Sequence, residues 1–194
     1  MVSLLITREK ALELLKKWPQ TEPDFNHYLE SEAIMRGVAE RLGEEIDYWG
    51  ILGLLHDVDW ALTKNNVVEH LTKAPKILKE AGFDKNFIEI VVSHGYGYDE
   101  LPHLKDKKRT KKIEFALAAS ETLTGLIHAY ALMRGKKISD MEVKGLKKKF
   151  KDKAFAAGCD REIIKEAENL MPLDEFFDIG IRALKSIKEE IGLN

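Results

Sequence analysis

Apolar residues recur along this chain at intervals of three and four, the period of a buried helix face. Nowhere do they alternate as a half-buried strand would require. Thr7 is placed to cap a helix over 8–17, where Ala11, Leu12, Leu14 and Leu15 are apolar before Trp18-Pro19 ends it. After the loop Pro19–Pro23, Asp24 reads as the cap of a helix carrying Tyr28, Ile34, Met35, Val38 and Leu42 and closed by Gly43. Asp47 then opens Tyr48–Val58, apolar enough to be buried on every side. A helix over Leu71–Ala81 is expected with Thr72 as its cap, Pro75 in its first turn and Gly82 closing it. Asp84 introduces another over 85–94. Gly95–Thr110, rich in Gly, Pro and Lys, predicts the one long loop, a type of segment that often carries function. The longest helix follows at about Lys112–Arg134, and Ser139-x-x-Glu142 reads as a capping box. Asp160 and Asp174 are placed to cap two final helices before Gly192. The pattern predicts an all-α protein of about nine helices, forming one unit over 1–194 with helices 139–194 packed on the rest.

Composition narrows the class. A chain of 194 residues can bury a proper core without covalent staples. The lone cysteine, Cys159, excludes an internal disulfide and a Cys-based metal site. The longest apolar run, Tyr48–Leu55, is far shorter than the roughly 20 residues a spanning helix needs. The start, Met1–Ile6, lacks the charged and long apolar regions of a secretion signal. A cytoplasmic protein with no membrane association is the expectation. The formal net charge of −2 gives no global reason to expect nucleic acid as a partner. Charge is uneven, however: residues 1–104 hold 11 basic and 18 acidic side chains, and the remainder 20 and 15. The basic excess sits in Lys105–Lys112 and Lys144–Lys153, which read either as solvated faces or as a positive rim for an anionic substrate.

Histidine carries the chemistry. His27, His56, His70 and His94 lie at turns or helix ends in apolar surroundings, and His56 is followed directly by Asp57. A lone buried histidine is usually a satisfied core residue. Four of them with Asp57, spread over successive helices, weigh against that reading, because imidazole and carboxylate are the donors that hold divalent zinc, iron, manganese or nickel. Arg109, with Lys111 and Lys112, precedes the longest helix, and its guanidinium suits bidentate contact with phosphate. Arg36 falls on the opposite helix face from His27 and is expected to pair between helices. His103 reads as an exposed loop residue, and Trp49, Trp60 and Tyr96 as packing or as stacking platforms for a base.

The string Gly53-Leu-Leu-His56-Asp57-Val-Asp59, with a histidine in the preceding helix and an acidic residue on a later one, resembles the HD-domain superfamily. That superfamily comprises all-α, metal-dependent phosphohydrolases named for the adjacent pair. His27 matches its first position, His56-Asp57 the signature, and His70 and His94 the two extra histidines of members that bind two ions. Ala116-Leu-Ala-Ala-Ser-Glu121-Thr-Leu-Thr-Gly125 is similar to the segment holding the last carboxylate, with Glu121 where Asp is usual. The likeness covers about 20–130, and Lys149-Phe150 with Phe155-Ala156-Ala157 is similar to a subgroup of hydrolases in that superfamily.

The resemblance implies one or two divalent ions, with iron, manganese, nickel, cobalt, zinc and magnesium all open. They would be held by His27, His56, Asp57, His70, His94 and Glu121. It further implies a small phosphorylated substrate, a nucleotide among the options, attacked by metal-bound hydroxide, with Asp59 as general acid or as a hydrogen-bond partner of a ligand. Two alternatives stand beside it: a di-iron oxygenase of the same fold, and a degenerate HD fold acting as a ligand sensor. Glu121, one methylene longer than Asp, is the feature that favours the sensor. His128, seven residues or about 10.5 Å further along the helix, is too distant to share its ion.

Overall fold

The computed structural model describes residues 6–194, so Met1–Leu5, on which part of the signal-sequence reading rests, lies outside the described residues. The described chain is helical with no strand, and the elements run α1 (Arg8–Leu15), α2 (Glu22–Leu42), α3 (Ile46–Leu55), α4 (Trp60–Thr63), α5 (Ala74–Glu80), α6 (Lys85–Ser93), α7 (Lys112–Met133), α8 (Val143–Lys151), α9 (Arg161–Lys165) and α10 (Leu173–Ser186). Short 3-10 turns cover Val67–Glu69 and Glu166–Asn169. With α4 only one turn long, the expected all-α architecture of about nine helices is borne out. Among the described residues no helix is long and apolar enough to cross a membrane.

Several local predictions hold because a side chain satisfies an orphan N–H. Thr7 accepts from Lys10, Asp84 from Phe87 and Asp160 from Glu162. Gly43 adopts the left-handed cap expected of it, with φ 70°. Other caps differ. Thr21, not Asp24, caps α2, and Asp24 at the third position reaches back to the Thr21 N–H in a capping box. Asp47 lies in the first turn of α3 rather than before it, and pairs with Arg36 at 2.8 Å. The Ser139 N–H bonds to the carbonyl of Asn194, so no Ser139–Glu142 box forms, and Asp174 sits inside α10 behind Pro172.

α3 is buried along Tyr48–Leu55, as its composition demands. It lies close against α2: a methyl at Gly53 would come 2.6 Å from the Ser31 carbonyl oxygen. Only glycine allows that approach. α7 is the second central helix, buried from Ala116 to Ser120 and packed against α2, α3 and α6 and against α8 to α10. The C-terminal segment is tied in by two arginines. Arg109 makes a bidentate pair with Glu166 at 2.5 and 2.8 Å. Arg161 donates to the carbonyls of Phe150, Asp152, Phe155, Ala156 and Cys159, which fixes the turn between α8 and α9.

Candidate metal centre

The close packing of α2 on α3 brings His27, on the second turn of α2, against His56, which ends α3. Their Nε2 atoms are 3.0 Å apart. α3 stops at Leu55, three residues before the predicted end, and the turn that follows swings Asp57 inward. His94 ends α6 in the same way. His70 follows the 3-10 turn, and its Nε2 lies 3.4 Å from that of His94. Asp57 stands between the two pairs. Its Oδ2 is 3.8 and 3.6 Å from Nε2 of His27 and His56, and its Oδ1 is 3.1 and 3.2 Å from Nε2 of His70 and His94.

A second layer of acceptors sets every tautomer. Nδ1 of His56 donates to the Gly53 carbonyl and Nδ1 of His94 to the Val91 carbonyl, each at 2.7 Å. Nδ1 of His70 donates to Asp59 at 2.9 Å. The Thr124 hydroxyl gives its proton to the Glu121 carbonyl at 2.6 Å, so it accepts from Nδ1 of His27 at 2.9 Å. With each Nδ1 protonated, four Nε2 atoms face one another and one carboxylate, an arrangement that repels itself unless positive charge lies between. The residues therefore fit a cation. Two groups of three, His27–His56–Asp57 and Asp57–His70–His94, each bring one ligand atom per residue to within 4.8 Å of the others.

The titration behaviour follows from burial and neighbours. Burial drives the His56 imidazole down to about 3, against the pull of Asp57. Burial also disfavours a charged His70, but Asp57 and Asp59 outweigh it and lift the imidazole to about 10. Asp57 stays well below the usual carboxylate range: burial opposes ionisation, and His56 and His70 overcome it. In the cation-free protein the proton on His70 is thus the positive charge the site demands.

Asp59 is fully buried, and besides His70 its carboxylate accepts the N–H groups of Leu71, Lys73 and Ala74 at 3.3, 3.0 and 3.0 Å. It therefore caps α5 from twelve or more residues away, in place of the predicted Thr72, whose hydroxyl instead donates to the Glu69 carbonyl. Leu71 takes the left-handed φ of 64°, rare for a branched residue, which aims these N–H groups at Asp59. Such a carboxylate positions His70 and has no open side from which to donate a proton.

Glu121 stands in neither group of three. Its carboxylate accepts the Thr122 hydroxyl at 2.6 Å and lines the cleft over the centre, and burial raises its pKa. The basic residues are elsewhere. Arg109 is 9% exposed, and besides Glu166 it donates to the carbonyls of Ser93, His94 and Tyr96, so it buttresses the His94 segment instead of facing a phosphate. Lys111 pairs with Glu114 at 3.6 Å, and Lys112 is exposed at the start of α7, more than two turns before Glu121. Arg36 pairs with Glu32 and Asp47, His103 is exposed, and Nδ1 of His128 bonds Glu30 at 2.5 Å.

Above the centre lies a cleft of about 390 Å³, with Asp57, His70 and His94 among its walls. Several residues of the cleft and of its support were not anticipated from sequence, among them Tyr98, Gly158 and Thr124. Tyr98 comes from the long loop, Gly158 from the turn held by Arg161, and Thr124 lies one helical turn beyond Glu121. The Gly- and Pro-rich composition of 95–110 signalled a functional segment without singling out Tyr98.

This arrangement has a family. The HD domain model matches residues 24–129, and the chain belongs to that family of helical, metal-dependent hydrolases. All four histidines, Asp57, Asp59 and Thr124 fall inside the matched stretch, and α8 to α10 outside it. Searches of curated proteins and of solved structures give no match.

Proposed function

We propose that this protein hydrolyses a phosphomonoester or phosphoanhydride of a nucleotide or another small metabolite. The observation that carries the reading is Asp57, shared between two imidazole pairs at the wall of an open cleft. Divalent cations held there would acidify water and draw charge from a phosphoryl oxygen. The chain supplies the rest: fixed tautomers, a carboxylate that faces both pairs, and a cleft large enough for a small molecule. Asp57 and the histidines are the ligands in this proposal, Asp59 a positioning residue, and Glu121 a cleft residue within reach of the substrate or its water. Neutralisation of the phosphate rests on the cations, because Arg109, Lys111 and Lys112 are engaged or distant.

Five converging donors speak against a sensor that has lost its metal, and turnover would separate an enzyme from one that keeps it. The oxidative alternative draws support from the donor set itself, four imidazole nitrogens to one carboxylate, which suits iron. One set of measurements separates the three. The protein purified without chelators is analysed for metals beside Asp57→Ala, then assayed for phosphate release from p-nitrophenyl phosphate and nucleotides, and for oxygen uptake. Bound metal lost in the variant, with phosphate release, is the expected result. Iron with oxygen uptake and no phosphate would replace hydrolysis by oxidation, and failure to bind any metal would end both.

A further inference from the structure

The walls of the cleft have a character that the metal centre does not require. Besides the histidines and Asp57 they include Trp60, Val67, Tyr98 and Leu101, with Glu121 and the exposed Glu100. Among the described residues no lysine or arginine lines it. Lys64, the basic residue closest in sequence to Trp60, is held by Asp24 at 3.0 Å. Asp24 also accepts from the Trp60 indole N–H at 3.2 Å, which anchors that ring, and the ring meets His70 edge-on at 5.2 Å. Burial keeps the Tyr98 phenol protonated, and Glu121 reinforces this. The walls thus bring aromatic and acidic side chains together.

Such walls discriminate by charge. A substrate with a second phosphate would place it near Glu100 and Glu121 with no lysine or arginine lining the cleft to offset it, and like charges facing one another are disfavoured. An alkylammonium group gains on both counts, from aromatic faces and from carboxylates. We propose that the cleft selects a monophosphate ester whose leaving group carries an ammonium head, and rejects polyphosphates. The phosphate end of this proposal rests on the hydrolase reading; the ammonium end rests on the walls alone.

Phosphocholine and 3,3-dimethylbutyl phosphate are suitable probes, since they share a shape and differ in charge at one atom. With the manganese-loaded protein, kcat/KM for phosphocholine is expected to exceed that of the neutral ester about tenfold, mainly through KM. In Glu100→Gln, an exposed substitution that spares the core, the ratio should fall to within about threefold. Equal values for the two esters, or faster turnover of ADP than of phosphocholine, would overturn the proposal.

Calorimetric titration of choline against 3,3-dimethylbutanol tests the subsite without catalysis. Tighter choline binding that weakens in Glu100→Gln supports it, and indistinguishable binding overturns it. Choline selectivity without hydrolysis of either ester or of p-nitrophenyl phosphate leaves the subsite standing and removes the hydrolase reading. Hydrolysis of p-nitrophenyl phosphate without charge discrimination does the reverse.

Discussion

Entry of a cation into the centre should expel a proton, and His70 is its source. The imidazole lies between Asp57 at 3.1 Å and Asp59 at 2.9 Å, and they raise it from 6.5 to about 10 against the cost of burial. Its Nε2 must lose that proton to become a ligand. Between pH 7 and 9 the apparent affinity for manganese should therefore rise about tenfold per pH unit, or roughly 100-fold over the interval. At pH 8, calorimetry in buffers of different ionisation enthalpy should count close to one proton released per cation bound at the His70–His94 pair.

The same group biases the stability of the metal-free protein in the opposite direction. A folded-state pKa above the unfolded one adds stability that is complete below about 6.5 and disappears as pH climbs through about 10. The rise is worth at most roughly 5 kcal/mol. Metal-free protein should accordingly lose resistance to urea from pH 7 to 9 while its affinity for metal grows. An affinity that stays level over that range, with no proton release, would refute the assignment of His70 as a protonated ligand in waiting.

Three further perturbations probe the supports. Asp59→Asn keeps an acceptor but removes the charge that His70 and three N–H groups share; metal affinity should fall about 10- to 100-fold in a chelator competition, and a change under twofold would remove its positioning role. Arg109→Ala takes the donor from Glu166 and from the carbonyls of His94 and Tyr96, while Ser93 keeps the Tyr96 N–H, and should cost roughly 3 kcal/mol in urea unfolding, far more than a surface lysine such as Lys108. Gly53→Ala forces a methyl against the Ser31 carbonyl and should cost about 1–3 kcal/mol or separate His27 from His56; unchanged stability and metal content would show that the α2–α3 approach has slack.

Local signals in the sequence transferred well wherever one residue satisfies its own neighbourhood. Thr7, Asp84 and Asp160 cap their helices through N–H groups two or three positions on, and the run Tyr48–Leu55 is buried as its composition requires. The four clustered histidines were legible for a different reason, since their order along the chain matches a family pattern. What stayed hidden is tertiary. Asp59 does the work expected of Thr72 across fourteen residues, at a backbone strained at Leu71. Arg109 looked like a phosphate binder beside lysines, but Glu166, fifty-seven residues away, takes it. Thr124 hides as an ordinary helical threonine until α7 is set against α2.

The tie between Arg109 and Glu166 separates two kinds of boundary. The match to the family model ends at residue 129, yet the guanidinium inside that stretch is matched by a carboxylate beyond it. A fragment cut after Met133 would keep every histidine and still bury a lone cation behind His94. It would also lose Gly158 and, with Arg161, the turn that carries it to the cleft. The stretch that matches the family and the stretch on which the centre depends are thus different lengths of chain. Grafting this centre into another helical scaffold would have to carry a partner for Arg109 along with the four histidines and Asp57.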